Sequence, residues 1–310
     1  MLTSNESPTL PALEDPSLIR PAGIEIKVQS PVVDPDNPRW GVPGALLIWL
    51  VSFALQALIP VLFLIPLILH RGLNPSSPDF SKLVLELAVT DKTAVLLQII
   101  SILPSHLLTL ALLWAFVTRF GKRPFLASFG WGWSSRYGVW EGAGLVGLGV
   151  ALFLIGALIA KLLGGDKPTQ LEQLINSSTA ARYSIAALAV FTAPFIEEFV
   201  YRGVVYSALQ RLIGVNGAVC FVLALFTLIH VPQYWPNLGV ISAVALLSLV
   251  LTIVRASSGR LLPCIVIHMA FNAVQAIILI AEPYLQRLLP TAPTAVPNAS
   301  MLLPLIRLIF

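Results

Sequence analysis

Charge is what this sequence has least of. Asp, Glu, Lys and Arg together make up 11% of its 310 residues, whereas a soluble domain carries about 25%, so the chain cannot cover a water-facing surface in the usual way. Hydrophobic residues reach 57%, which excludes a disordered chain. The few cations form no basic stripe, which argues against a nucleic-acid partner. These deficits indicate a multi-pass membrane protein.

Cysteine and the common catalytic signatures are also scarce. The two cysteines, Cys220 and Cys264, lie in apolar segments at no metal-ligand or redox spacing, so we interpret them as small buried hydrophobes. The HExxH helix signature of zinc peptidases is absent, and no G-x-S-x-G elbow indicates a serine hydrolase. No internal repeat of fixed period is present.

The first 43 residues differ in composition from the rest. Residues 1–43 hold six of the fifteen acids, three of the nineteen basic residues and eight of the twenty-four prolines. A Pro-rich acidic stretch without an apolar run is typical of a flexible segment outside the membrane. We therefore divide the chain into a flexible N-terminal tail, 1–43, and an integral membrane domain, 44–310.

Seven apolar runs are candidates for membrane-spanning helices, which need about 20 mostly apolar residues. A further candidate, Met301–Phe310, is either an eighth helix or an interfacial piece. The basic residues of the loops divide equally between the two sides, and those of the N-terminal tail tip the count towards an N-terminus on the inside. The predicted fold is an all-α polytopic transmembrane bundle of seven to eight helices with a polar cavity inside the membrane. The runs are Gly44–Leu69, Thr93–Val117, Val139–Leu163, Tyr183–Ile196, Gly217–Ile229, Leu238–Val254 and Leu261–Ala281.

Three of the apolar segments carry polar side chains that most of the other spans lack. The fourth run continues into EEFVYR, which supplies Glu197, Glu198 and Arg202, the fifth ends with Phe226–His230, and the seventh contains His268–Asn272. A charge inside a span costs about 2.5–3.5 kcal/mol on insertion scales, so such residues are candidates for a functional site. Their coincidence on three segments favours function over three unrelated structural hydrogen bonds.

Helical spacing assigns these residues different positions. Glu198 and Arg202 are i,i+4 with the acid first, the better orientation for an ion pair along one helix, so we expect Glu198 to be structural. Glu197 lies about 100° further around the helix and has no such local partner. His268 and Asn272 are also i,i+4 and project from one face, where they can address one small target.

The expected depths of these side chains agree. If the fourth helix runs to about Ile213 before a turn at 214–216, Glu197 and His230 lie about 24 and 21 Å above that turn at 1.5 Å per residue. His268 and Asn272 lie about 12 and 18 Å from Arg260, on the same side. The sequence therefore predicts that an acid, two imidazoles and an amide meet in one intramembrane cavity.

Two chemistries could use this set. A carboxylate and an imidazole can deprotonate a water, and a His and an Asn can donate hydrogen bonds to a developing oxyanion, which together suit the addition of water to an amide carbonyl. The alternative is a zinc site of Glu197 or Glu198 with His230, His268 and perhaps Asn272, because zinc accepts His and carboxylate ligands. Asn is an uncommon zinc ligand, so the metal-free water mechanism is favoured.

Four further polar residues are better explained without catalysis. His106, within a span, fits a neutral hydrogen-bonded core histidine, and Tyr201 fits core packing. Gln233 and Tyr234 are expected in an uncharged loop after His230, either at the mouth of the cavity or in an interfacial aromatic belt.

The three motifs, EEFVYR (EExxxR), Phe226–His230 (FxxxH) and His268–Asn272 (HxxxN), in this order on successive apolar stretches, resemble the CPBP family. This family comprises type II CAAX prenyl endopeptidases and bacteriocin-processing or self-immunity membrane proteins, also called Abi. The resemblance covers about residues 183–281.

The resemblance implies a bundle of about eight helices whose cavity reaches an intramembrane active site. It implies that Glu197 and His230 activate water, that His268 and Asn272 stabilise the oxyanion, and that Glu198, Arg202 and Phe226 support them. The family is commonly labelled metalloprotease, although neither a metal nor another cofactor is favoured here. The implied protein is a hydrolase of a bacterial cell membrane, with membrane lipid and a membrane-associated or lipidated (CAAX-type) peptide as its partners.

Two other functions use the same residues. Intramembrane Glu, His and Arg could form a proton or ion relay in a transporter, although inverted repeats and paired broken helices are not evident. A membrane scaffold or immunity protein could keep the fold without catalysis, although all the motif side chains are intact.

Overall fold

The computed structural model describes residues 34–134, 138–163 and 167–288, and within these ranges it contains helices and no strand. This confirms the all-α prediction. Residues 1–33, which make up most of the predicted tail, and the candidate segment 301–310 lie outside the described residues. The helices are α1 Val42–His70, α2 Phe80–Thr90, α3 Lys92–Thr118, α4 Val139–Leu162, α5 Gln170–Asn176, α6 Thr179–Phe191, α7 Ala193–Glu198, α8 Ser207–Tyr234, α9 Leu238–Ser258 and α10 Leu262–Leu288, with a π-helical segment, Phe199–Tyr206, between α7 and α8.

Six helical stretches among the described residues are long and apolar enough to cross a membrane, as expected of a multi-pass membrane protein. They account for all seven predicted apolar runs to within one residue at the ends, because the stretch Thr179–Tyr234 has 56 residues and contains two of them. At 1.5 Å per residue, about 20 residues suffice for one crossing. This long stretch must therefore bend back on itself.

The reversal occurs at Gly214, where the backbone leaves the helical region with φ 74° and ψ 169°. Such a conformation is open to glycine and costly for other residues. After it the chain runs back along the preceding helix, so that the rings of Tyr201 and Phe226 meet with centroids 5.1 Å apart. The turn predicted at 214–216 is therefore confirmed, and it brings the first two motifs side by side.

Helix α4 approaches α9 and α10 at the distance of backbone contact. A Cβ atom built on Gly149 would lie 2.6 Å from the backbone oxygen of Ile267, and one on Gly239 would lie 2.6 Å from the backbone oxygen of Ala160. Close approach of small residues is how helices gain packing energy in lipid, where no hydrophobic effect drives their association. These contacts fix α4 against the helices that carry the site.

Residues 34–43, the last part of the segment predicted to be a flexible tail, contact the helix bundle. The Asp36 carboxylate pairs with the buried Arg255 at 2.6 Å, and the Trp40 indole N–H donates to the backbone oxygen of Val204 at 3.2 Å. Arg211 Nη1 donates to the Asn37 side chain at 3.1 Å. This short segment is thus tied to α8, to α9 and to the π-helical segment.

Candidate active site

The helix that carries the two glutamates is irregular on both sides of them. Pro194 has no N–H and cannot bond to the carbonyl of Val190, and the chain is kinked at Thr192 (φ −122°, ψ −44°) between α6 and α7. Immediately after Glu198 the chain continues as the π-helical segment. π-Helical turns are rare and frequently occur at functional sites. The acids therefore lie between a kink and a widened turn.

Glu198 and Arg202 form the ion pair expected from their spacing. Arg202 Nη1 donates to Glu198 Oε1 at 2.9 Å, and both side chains are fully buried. The remaining guanidinium donors bond to α9, with Nη2 2.9 Å from Ser248 Oγ and Nε 3.2 Å from Thr252 Oγ1. The guanidinium carbon also lies 4.6 Å from the ring centroid of Phe226. A buried charge needs such partners to offset its desolvation.

His268 connects this ion pair with the second glutamate. Its Nδ1 lies 2.9 Å from Glu198 Oε1, and its Nε2 lies 3.7 Å from Glu197 Oε2. A carboxylate only accepts hydrogen bonds, so Nδ1 carries a hydrogen. The two acids thus hold the imidazole between them, with Nε2 on the side of Glu197.

His230 presents the same nitrogen. Its Nδ1 lies 2.7 Å from the backbone oxygen of Phe226, one turn earlier. Since a carbonyl can only accept, Nδ1 is the donor and Nε2 of the neutral ring is unprotonated and available as a base. The ring packs against Phe226 at a centroid distance of 4.5 Å, so its orientation is set from both sides.

Asn272 is bonded to the kinked helix. Its Nδ2 donates to the backbone oxygen of Ala189 at 2.7 Å. Ala189 lies in the last turn of α6, just before the break at Thr192. This bond leaves Asn272 with one N–H and its carbonyl oxygen for other partners, and it ties α10 to the helix that leads to the glutamates.

The motif residues surround one cavity of about 360 Å³. All four predicted catalytic side chains line it, whereas Glu198 and Arg202 are buried behind the wall. The Glu197 side chain is 20% exposed and Glu198 is fully buried, so the neighbouring acids occupy different environments. The predicted convergence of an acid, two imidazoles and an amide is therefore present. The motif side chains at the wall are those of Glu197, Phe226, His230, His268 and Asn272.

The sequence predicted that His106 lies in the core. In the structure this side chain is buried, as predicted, but it also lines the cavity. Its Nδ1 lies 2.9 Å from Thr192 Oγ1, and that hydroxyl donates to the backbone oxygen of Leu188 at 3.1 Å. The hydroxyl therefore accepts from Nδ1–H. The signal in the sequence was a histidine within a span.

The expectation of a loop directly after His230 was wrong. Helix α8 runs on through Gln233 to Tyr234, and both residues line the cavity. The Tyr234 ring lies nearly parallel to the His230 ring, at an interplanar angle of 13° and a centroid distance of 6.3 Å.

Tyr201 is a packing residue, as predicted. It is buried, and its hydroxyl accepts from the Trp49 indole at 3.0 Å.

The fit of a zinc ion can be judged from the donor atoms. Within the ranges that the structure describes, no three His, Cys, Asp or Glu side chains are grouped so that they could hold a metal ion. Structural and catalytic zinc sites require at least three protein ligands. As arranged here, Glu197, His230 and His268 therefore do not form a zinc site, and no step below is assigned to a metal.

Fold and site together define a multi-pass membrane protein with a buried acid and histidine cavity. Residues 179–274 match the protein-family model described as type II CAAX prenyl endopeptidase Rce1-like. The match spans just under a third of the chain and contains all three motifs, which confirms the family resemblance over this segment and supports an enzyme of the protease type. A search of curated proteins and a search of solved structures gave no significant match.

Proposed function

We propose that this protein is an intramembrane endopeptidase that hydrolyses a peptide bond in a membrane-bound or prenylated, CAAX-type peptide. The observation that carries the proposal is that two adjacent acids occupy different environments. Glu198 is fully buried and paired with Arg202, whereas Glu197 lines the cavity, where three histidines also lie. A carboxylate that is exposed to a cavity and not tied to an arginine can take a proton from water.

In the proposed reaction, the Glu197 carboxylate takes a proton from a water that is hydrogen-bonded to His230. The water oxygen forms a bond to the peptide carbonyl carbon, and the carbonyl electron pair moves to its oxygen. His230 Nε2 is the unprotonated nitrogen of that ring, because Nδ1 is bonded to Phe226. The proton then passes to the leaving nitrogen as the C–N bond breaks, which yields a carboxylic acid and an amine. General acid–base catalysis of this kind contributes about 10²–10⁴-fold in rate.

His268 and Asn272 are the proposed donors to the oxyanion. The Nδ1–H of His268 is committed to Glu198, so the nitrogen that would face the oxyanion is Nε2, on the side of Glu197. Asn272 uses one N–H for Ala189 and offers the other. One lost oxyanion donor costs about 10²–10³-fold in the rate constant.

Apolar walls support a lipid-modified or hydrophobic substrate. Around the polar groups the cavity is lined by aliphatic and aromatic side chains of α3, α4, α5 and α9, among them Ile99, Phe153, Leu174 and Leu247. Sites for hydrophobic ligands have this character, a largely apolar lining with a few placed polar groups. The scissile bond would be placed by the polar groups and the rest of the peptide or its lipid by the walls.

The experiment is cleavage of synthetic peptides by the purified, detergent-solubilised protein, followed by mass spectrometry. The substrates are a farnesylated CAAX peptide and its unprenylated twin, each with and without a zinc chelator. We expect cleavage that survives chelation, that falls at least 10²-fold in Glu197→Gln, and that is unchanged in Glu86→Gln, a control on an exposed acid of α2.

Each contrary result has a distinct meaning. Cleavage by Glu197→Gln at the wild-type rate would refute the assigned base, and loss of cleavage on chelation would refute the metal-free mechanism. Cleavage of both peptides at the same rate would show that the enzyme does not recognise the prenyl group. If the folded wild-type protein cleaves neither peptide, a CAAX-type substrate is refuted. If the effect of the protein in cells persists in Glu197→Gln, the protein acts as a scaffold.

A further inference from the structure

A second cavity lies at the ends of three candidate spans, away from the glutamates. Its volume is about 570 Å³, and it is formed where α3 begins, where α5 turns into α6 and where α10 ends. Lys92 is the first residue of α3, and Arg287 is in the last turn of α10. A cavity at the ends of spans lies at the level of the lipid headgroups.

The charge of this cavity is of one sign. Lys92, Arg182 and Arg287 line it, and no acidic residue does. In the described part of the chain, no carboxylate lies within ion-pair distance of Lys92 or Arg287, while Arg182 pairs with Glu282 at 3.3 Å. Lys92 and Arg287 therefore face this space without a carboxylate partner, and an anion bound between them would be attracted by both charges.

Asp91, the acid immediately before α3, makes other contacts. Asp91 caps α3 by accepting from the backbone N–H groups of Thr93 and Ala94, and it pairs with Arg71. The hydrogen bond from Ala94, followed by that from Thr93 and by the charge of Arg71, holds the pKa of the Asp91 carboxyl below its ordinary value. Asp91 therefore stays ionised and caps α3. It is not among the residues that line the cavity.

The other lining groups suit a phosphate ester at a membrane surface. Asn176 and Ser177, at the turn between α5 and α6, contribute polar side chains, while Ile175 and Ile280 provide an apolar floor. The hydroxyls of Tyr183 and Tyr284 lie 2.8 Å apart at the edge, as is typical of tyrosines at a membrane interface. Cations, hydroxyls and an apolar floor together match a headgroup phosphate with its acyl chains alongside.

From this geometry we infer that the cavity between α3, the α5–α6 turn and α10 binds the phosphate of an anionic membrane lipid, with Lys92, Arg182 and Arg287 as its cationic ligands. The site is separate from the proposed protease chemistry and does not depend on it. It shares one wall with the catalytic cavity, because Ile175 of α5 lines both.

The test is lipid retention measured by native mass spectrometry. The detergent-solubilised full chain is incubated with equal amounts of phosphatidylglycerol and phosphatidylcholine that carry identical acyl chains. Wild type is expected to retain phosphatidylglycerol preferentially. Lys92→Gln/Arg287→Gln should weaken that retention about 30-fold, because each basic residue near an anionic surface contributes a factor of about five.

Two further variants show whether position or only charge matters. Lys161→Gln/Lys167→Gln removes the same charge from the same end of the bundle outside the cavity, and it should retain phosphatidylglycerol as wild type does. Lys92→Arg/Arg287→Lys should also retain it. Arg182 is left unchanged, because it bonds to Asn176 and to the backbone of Leu279.

Three results would overturn the inference. The first is equal retention of the two lipids by wild type, and the second is equal loss in the cavity variant and its charge-matched control. The third concerns the source of the phosphate. If millimolar inorganic phosphate displaces the lipid from wild type, the site binds a free anion and not a lipid.

Discussion

The Nδ1 atom of His268 and the Nη1 atom of Arg202 both lie 2.9 Å from the same oxygen, Oε1 of Glu198. The second oxygen of that carboxylate, Oε2, is buried and has no hydrogen-bond partner among the described residues. One atom thus serves the buried ion pair and orients an imidazole of the candidate active site. Stability and site geometry are coupled through Glu198.

Glu198→Gln is expected to lower the free energy of unfolding by about 3–5 kcal/mol, because it leaves the buried Arg202 cation without a counter-charge. The measurement is unfolding by dodecyl sulfate in mixed micelles. Glu197→Gln is the matched control, and it should change the free energy of unfolding by less than about 1 kcal/mol, since Glu197 faces the cavity. Equal stability of the two variants would contradict the structural role of Glu198.

Asn272→Ala is expected to lower both stability and rate. The part-buried backbone oxygen of Ala189 loses its donor, and a typical intramolecular hydrogen bond contributes about 0.5–1.5 kcal/mol. The proposed oxyanion also loses one of its donors. Gln275→Ala is the control, because Gln275 also lies on α10 and lines the cavity. If Asn272→Ala kept wild-type stability and cleaved peptide at the wild-type rate, both assigned roles would be wrong.

Gly203→Ala is expected to destabilise the protein by about 1–3 kcal/mol through overpacking. A Cβ atom at this position of the π-helical segment would lie 2.7 Å from Cε1 of Phe129. Gly144→Ala in α4 is the comparison, because its Cβ would meet nothing within 4 Å. Unfolding of both variants under the same conditions provides the check, and equal losses would show that the Phe129 contact is not the cause.

Asp36→Asn tests whether the segment 34–43 stabilises the helices. Arg255 is 1% exposed and pairs with Asp36, which is 45% exposed, so losing this charged hydrogen bond should cost about 1–3 kcal/mol. Asp79→Asn removes an acid from the loop before α2 and should cost little. A wild-type free energy of unfolding for Asp36→Asn would mean that the segment does not contribute to stability.

Local sequence patterns predicted more of the site than of its surroundings. The Glu198–Arg202 pair follows from i,i+4 spacing, and the reversal at Gly214 follows from a glycine between two apolar runs. The contact of His268 with Glu198 joins residues 70 positions apart and depends on how α10 packs, which spacing along one helix does not specify. The common depth of the motifs was predictable from the rise per residue, whereas the contact partners were not.

The structural irregularities were also beyond sequence reasoning. Pro194 signals a break, but the bond from Asn272 to Ala189 near that break is set by tertiary packing. Nothing in the residues Phe199–Tyr206 distinguishes a π-helix from an α-helix. His106 was interpreted from its neighbours along the chain, and its place in the cavity depends on the kink that brings Thr192 towards it.

The close contact of α4 with α9 and α10 determines how the catalytic cavity can change shape. Gly156 and Ala160 of α4 and Ala243 of α9 line this cavity. On this side the backbones of α4 and α9 are already in contact, at Ala160 and Gly239. The wall of the cavity also includes α5, a helix of only seven residues. Helices α4 and α9 therefore cannot approach each other more closely, and the width of the cavity on their side is set by the side chains that line it.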